Sequence, residues 1–236
     1  MARRRSERYE VNKKYEEEGN HYWMSYSDLM SALLLMFALL LMVNIYDNQQ
    51  GMEKKDEVIQ EVIGLKTQII EELGKSFKDS NLEMEIDPQT GAIRFSSGVF
   101  FDYNSSTVSP EGKQRLEEFV PKYISILLSD KFKEHVSQII VEGHTDQNGS
   151  YIYNMNLSQN RSFAVVSEIL SDNFKQFEHR DQLQTLITSN GRSFSEPILN
   201  SAGQIDPDKS RRVEFKFRLK DEEMFKKIQE MVNEDE

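Results

Sequence analysis

One run constrains this chain more than any other: from Leu29 to Val43 nothing is more polar than Ser31. A helix that crosses the hydrocarbon core of a bilayer needs about 20 mostly apolar residues. The run alone is too short, so a span must take in the segment from Trp23, and it then carries an acid, Asp28, within its first turns. Tyr22 and Trp23 on one side and Tyr46 on the other are residues enriched at both membrane surfaces, which argues against a buried soluble helix. Arg3, Arg4 and Arg5 precede the run as they would in a signal peptide. However, about twenty polar residues intervene and no small-residue cleavage site follows Val43, so an uncleaved anchor is expected.

The flanks set the expected orientation. Arg3, Arg4, Arg5, Arg8, Lys13 and Lys14 stand against Glu7 and Glu10 before the span, whereas only Lys54 and Lys55 follow it closely. The excess of cations places the N-terminus in the cytoplasm and the remainder outside, as in a single-pass protein of the bacterial inner membrane with a periplasmic C-terminal domain. A net charge of −11 speaks against direct binding of nucleic acid, which needs clustered Lys and Arg. Without cysteine, neither a zinc ribbon nor a disulfide framework is possible.

In chain order the expectation is a cytoplasmic tail over 1–20, a transmembrane helix over 21–46, a helical linker over 47–81, a domain over 82–220 and an acidic tail over 221–236. In the linker Val58, Val62, Leu65 and Ile69 recur at helical steps, with Ile59, Ile63, Ile70, Leu73 and Phe77 beside them. That stripe is wider than a coiled-coil seam and suits packing on a partner copy or on the following domain; a plug for a channel stays open. Leu82 to Asp87 and Ala92 to Phe95 read as a hairpin across Pro88-Gln89-Thr90-Gly91. Ser109 and Pro110 open a helix with Leu116, Phe119, Val120, Tyr123, Ile124 and Leu127 on one face. Val136 to Val141 is a strand running into Glu142-Gly143-His144-Thr145-Asp146, and Ser158 is a candidate cap for the next helix, with Val165, Val166, Ile169 and Leu170 inward. Val213, Phe215, Phe217 and Leu219 alternate with polar residues, as in a half-buried strand, and a short helix is expected after Asp221. The fold class is therefore a single transmembrane helix plus an α+β domain with helices packed on a mixed β-sheet.

Gly143-His144-Thr145-Asp146, then Asn154, Leu157, Ser158 and Arg161, resemble the signature of OmpA-like peptidoglycan-binding domains. Phe101-Asp102 and Ser210-Arg211-Arg212-Val213-Glu214 match the same pattern in the expected order, while Ser162 and Asn160 depart from it. The ligand that the resemblance implies is the diaminopimelate of the cell-wall stem peptide, whose free end carries a carboxylate and an ammonium on one carbon. A guanidinium can clamp the first and a carboxylate can neutralise the second. By resemblance Arg161 and Asp146 take those roles, with Thr145, Asn154 and Leu157 shaping the pocket; the alternative is that Arg161 and Asp146 form a structural ion pair. His144 is not read as catalytic, since no nucleophile elbow or oxyanion motif accompanies it, and no metal-ligand spacing is present. No catalytic residue, resident metal or organic cofactor is expected, and the chain is not read as an enzyme.

Asp28 decides what the membrane segment does. An acid at a helix centre costs roughly 2.5–3.5 kcal/mol to insert, and such acids usually face a partner or a pathway. Here it lies about five residues, or roughly 7 Å, into the core, within possible reach of headgroup water. Ser31 and Ala32 leave room for another helix to approach. Trp23, Tyr26, Asp28, Leu29, Met30, Ala32 and Leu33 resemble the membrane segment of B-type stator subunits such as MotB. That resemblance implies that Asp28 carries the coupling ion, proton or sodium, and that two B subunits sit within a ring of five A subunits. Within the class, the span and the arginine-rich start are most similar to the stator-like subunits of the Zorya anti-phage system. The implied partners are then a second copy, a pentameric ZorA-like membrane subunit and peptidoglycan. A flagellar stator subunit and a passive wall tether are the alternatives.

Overall fold

A computed structural model describes the backbone of residues 2–102 and 105–220, and the side chains of residues 26–49, 60, 63–102 and 105–220. The acidic tail, where a short helix was expected, lies outside the described residues. The chain divides into two compact units, Met1–Val58 and Ile59–Glu236.

The first unit belongs to α1, a helix assigned over Ala2–Phe77. The expected tail over 1–20 is thus already helical from Ala2, and no break separates span from linker at Gly51. A single glycine inside a helix costs only about 1 kcal/mol, too little to end one. Within α1, Tyr26–Gln49 is long and apolar enough to cross a membrane, and none of that segment is buried by the rest of the chain.

In the second unit the last turns of α1 are part of the domain. Ile69, Leu73 and Phe77 are buried in its core, Leu65 and Ile70 pack against it, and Ile63 is exposed. Of the two expected uses of this stripe, packing on the following domain holds for Leu65–Phe77. Glu72 pairs with Lys131 at 3.0 Å, and Lys122 lies 5.1 Å from the centre of the Phe77 ring while donating to the Ser76 carbonyl at the helix end. A cation is favoured there by the helix dipole.

The hairpin forms as expected: β1 (Met84–Ile86) pairs antiparallel with β2 (Ile93–Ser96) across a turn in which Gly91 takes φ 73°. A short helix α2 (Ser97–Phe100) follows, then α3 (Pro110–Leu127), whose Ser109 cap accepts from the Gly112 N–H at 3.0 Å. The six apolar residues expected on its inner face are all buried. Next come β3 (Val136–Gly143), α4 (Tyr151–Ile169), α5 (Arg180–Leu186), β4 (Ile187–Gly191), α6 (Pro207–Ser210) and β5 (Arg212–Leu219). The sheet order is β1-β2-β5-β3-β4, antiparallel except for the parallel β3–β4 pair, so the sheet is mixed. One face supplies Phe95, Ile139, Val141, Val213 and Phe215 to the core under the helices, where Phe95, Phe119 and Phe215 meet in edge-to-face pairs at 4.9–5.9 Å. By strand alternation the other face carries Glu142, Glu214, Lys216 and Arg94.

Two elements depart from the sequence reading. Ser158 is no cap: α4 starts eight residues earlier with Ser150, which accepts from the Tyr153 N–H at 3.2 Å. The first half of its inward face is Asn154, Ser158, Arg161 and Ser162, so apolar periodicity becomes visible only from Val165. The α5–β4 unit was not anticipated either, because a five-residue edge strand of half-buried residues carries little alternation.

Candidate functional site

The site is built where β3 and β4 end and β5 begins, beneath α4. Gly143 and Gly191 face each other across the parallel pair. A Cβ on Gly143 would lie 2.2 Å from the Ser158 carbonyl oxygen, and one on Gly191 would lie 2.5 Å from the Gln159 nitrogen. Glycine is required at both positions by this close approach of helix to strand. Polar pins hold it: the Ser193 N–H donates to Ser158 Oγ at 3.0 Å, the Gly191 N–H donates to Gln159 Oε1 at 2.7 Å, and Ser193 Oγ donates to the Tyr151 carbonyl at 3.0 Å. The Thr145 N–H in turn donates to the Ser193 carbonyl at 2.9 Å. The inward polar face of α4 is thereby set against the loop that leaves β3.

Between them opens a cleft of about 560 Å³. Thr145, Asp146, Asn154, Leu157 and Arg161, the five residues singled out from the sequence, all line it. Asp28 lies in the other compact unit, exposed on α1.

Within the cleft the charges are not paired as a simple Asp146–Arg161 bridge. Asp146 is paired with Arg211 and also accepts from Asn148, from the backbone N–H at 3.0 Å and the side-chain amide at 3.1 Å. Burial alone would raise the carboxyl pKa, but Arg211 and the Asn148 donors outweigh it and hold the group below the usual range. Arg161 is buried to 6 % exposure, its Nε donates to the Ser105 carbonyl at 2.9 Å, and its guanidinium lies 5.3 Å from the centre of the Phe101 ring. Among the described residues no carboxylate lies within ion-pair distance of it. Burial, with the nearby charge of Arg211, lowers its pKa from the ordinary arginine value.

Asn154 donates to the Asn148 carbonyl at 2.8 Å, so it fixes the loop that carries Asp146. Thr145 Oγ1 is buried without a hydrogen-bond partner among the described residues. A buried guanidinium lacking a carboxylate, a carboxylate across the same cleft and an unspent hydroxyl suit a ligand that brings its own carboxylate beside a cation.

Sequence reasoning assigned no role to Arg211, Asn148 or Tyr153, which also line the cleft. Arg211 stood inside the Ser210–Glu214 match, and that was the signal available for it. Asn148 and Tyr153 belong to the loop and first turn around the Ser150 cap, which was misplaced.

Behind the cleft is a second charged group. Lys216 donates to Glu142 at 2.6 Å and lies 2.8 Å from Glu214, while Arg212 Nε and Arg94 Nε reach Glu214 at 2.5 and 3.1 Å. Burial pushes both carboxyls up, yet His144 and Lys216 beside Glu142, and Arg212 and Lys216 beside Glu214, outweigh it, and both sit at about 2. His144 Nε2 lies 3.7 Å from Glu142 and 3.9 Å from Glu214, beyond hydrogen-bond length, and neither ring nitrogen has a hydrogen-bond partner among the described residues. Burial keeps its pKa below the ordinary histidine value. Glu142, His144 and Glu196 offer ligand atoms within 4.8 Å of one another, but Lys216 already supplies the cation of that cluster.

Comparison with known proteins bears on both units. The model of the OmpA family matches residues 100–201, and that described as "Membrane MotB of proton-channel complex MotA/MotB" matches residues 5–58. Zorya protein ZorB of Escherichia coli strain Crooks is 33 % identical over 224 residues, covering 90 % of this chain and 94 % of the relative. Its namesake from Escherichia coli O139:H28 is 29 % identical over 226 residues, with 89 % and 87 % covered. Among solved structures, a MotB-like protein from Desulfovibrio vulgaris superposes with a TM-score of 0.47 at 19 % identity, over 67 % of this chain and 94 % of that one.

Proposed function

Since the chain belongs to the ZorB family, we propose that it is the B subunit of an ion-driven rotary stator in the bacterial inner membrane, used in anti-phage defence and anchored to peptidoglycan. The observation that carries this reading is the presence in one chain of two features. One is Asp28, exposed on an apolar helical segment that the rest of the chain leaves uncovered. The other is a polar cleft whose buried Arg161 lacks a carboxylate among the described residues.

Each feature has a use that the other would not need. A passive wall tether requires the cleft and has no call for an acid in its span, whereas an acid there costs insertion energy. A second copy and a pentameric ZorA-like ring would cover the apolar helix, with Asp28 facing the ring. The ion enters from the periplasmic side, neutralises Asp28 and leaves to the cytoplasm; a proton falling through the membrane potential supplies roughly 2.3 kcal/mol per 100 mV. Proton is favoured over sodium by the carboxylate of Asp28. The cleft holds diaminopimelate, its carboxylate on Arg161 and its ammonium on Asp146, so that the B subunits stand still while the ring turns.

The test is phage plating on cells carrying this gene with its genomic neighbours, wild type against Asp28→Asn at matched membrane levels. Loss of protection in the variant is expected. Full protection would make Asp28 a topological detail and reduce the protein to an anchor.

A further inference from the structure

Three candidates stand outside the roles already assigned. The Glu142–His144–Glu196 cluster offers metal ligands, but the Lys216 ammonium lies at 2.6 Å from Glu142 and 4.0 Å from Glu196, so a divalent ion would have to expel it. The outer face of α4 exposes Ile152 and Phe163, with nothing to say what covers them. The third is the pairing of Arg211 inside the cleft, and it leads further.

Of the donors on Asp146, Arg211 is the cation. Its side chain is 41 % exposed against 12 % for the carboxylate, and it shares Asp146 Oδ2 with the Asn148 amide. An ammonium entering the cleft must contend for that oxygen. Arg211 has somewhere to go: its second guanidinium nitrogen is already on Asp208, an acid 89 % exposed at the start of α6. Releasing Asp146 therefore leaves the guanidinium neither uncompensated nor buried. Across the cleft, Arg161 has no such resident to displace among the described residues, so a ligand carboxylate meets its guanidinium directly.

We infer that Arg211 is an internal substitute for the ligand ammonium: it occupies Asp146 until a zwitterionic end arrives and then withdraws onto Asp208. This rests on the wall-binding reading above and adds a specificity-determining residue to it. Binding is an exchange of one cation for another on Asp146, so the ammonium adds modest affinity, and the carboxylate on Arg161 carries most of it. Arg211 also sets what else the cleft accepts. With Arg211 in place, a ligand that has lost its ammonium still meets a neutralised Asp146; without it, the same ligand brings its carboxylate up to a bare one.

The experiment is calorimetric titration of the full-length protein in detergent with two probes. One is a stem tripeptide ending in meso-diaminopimelate, and the other is the same peptide with the free ammonium acetylated. For Arg211→Gln the expected result has opposite signs: about three- to fivefold tighter binding of the first, as expected for removing a half-exposed ion pair, and weaker binding of the second. Asp208→Asn, which alters only an exposed side chain, should weaken the tripeptide about twofold by leaving Arg211 committed to Asp146. Weaker binding of both probes by Arg211→Gln would make Arg211 a direct ligand contact and overturn the inference, as would no change in either. If the wild type binds neither probe, the peptidoglycan reading itself fails, and the inference with it.

Discussion

Arg211 and Arg212 are neighbours in the chain and belong to opposite electrostatic settings. Arg212 is 5 % exposed and closed into a group with Glu214, which is also held by Lys216 and Arg94. Arg211 turns into the open cleft, half exposed, and bridges two carboxylates. The same division separates Glu142 from Asp146 on the strand and loop of β3. One group is saturated: each acid has its cations within the sheet face, and what it contributes is shape. The other keeps Arg161 without a carboxylate among the described residues and Thr145 with an unspent hydroxyl. Both groups hold buried charge, and burial alone does not tell a structural network from a binding site. What distinguishes them is whether each charge finds its counter-charge within the fold.

That contrast can be broken most forcefully by acid. Glu142 and Glu214 have folded pKa values of about 2 against ordinary values of 4.5. A depressed carboxyl contributes stability that is complete above its unfolded pKa and is lost as the pH falls toward the folded one. The urea midpoint should therefore hold steady at neutral pH and fall between about pH 4.5 and 2. An acid-insensitive midpoint over that window would show that the network is not what closes this face of the sheet.

Next in size is removal of one member. Glu214→Gln leaves Arg212 buried beside a neutral group and should cost about 3–5 kcal/mol in chemical denaturation, with a shallower acid dependence than the wild type. A cost under about 1 kcal/mol would place this group with exposed ion pairs, despite its burial.

The cleft should answer the other way. Arg161→Ala is expected to weaken sedimentation with purified peptidoglycan by about 10- to 100-fold, the scale of losing a charge-assisted hydrogen-bonded pair. Its denaturation midpoint should shift less than that of Glu214→Gln, because the lost protein contacts are the Ser105 hydrogen bond and the Phe101 ring. A variant that unfolds as readily as Glu214→Gln while still binding wall would reverse the assignment of the two groups.

Much of this was legible in the chain, and the boundary between what was and was not has a physical form. The apolar segment with Asp28, the hairpin, the Ser109-capped helix and the alternation of Val213–Leu219 are read from local periodicity and capping. Each is decided by residues within a few positions of one another. The five cleft residues were found because they stand in one spaced motif. The start of α4 was misread, since its inward face is polar for two turns, and β4 escaped notice as a short edge strand.

By itself, then, the sequence determined where the chain is apolar enough to span a membrane, which acid that segment carries, and which residue types converge after β3. Only the tertiary structure decided who holds whom. Asp146 takes Arg211 from 65 positions away, and Arg161 takes the Ser105 carbonyl from 56 positions away. Gly143 and Gly191 matter because α4 crosses them at contact distance. Partner choice among buried charges depends on side-chain reach across strands brought together by folding, and no local pattern encodes that distance.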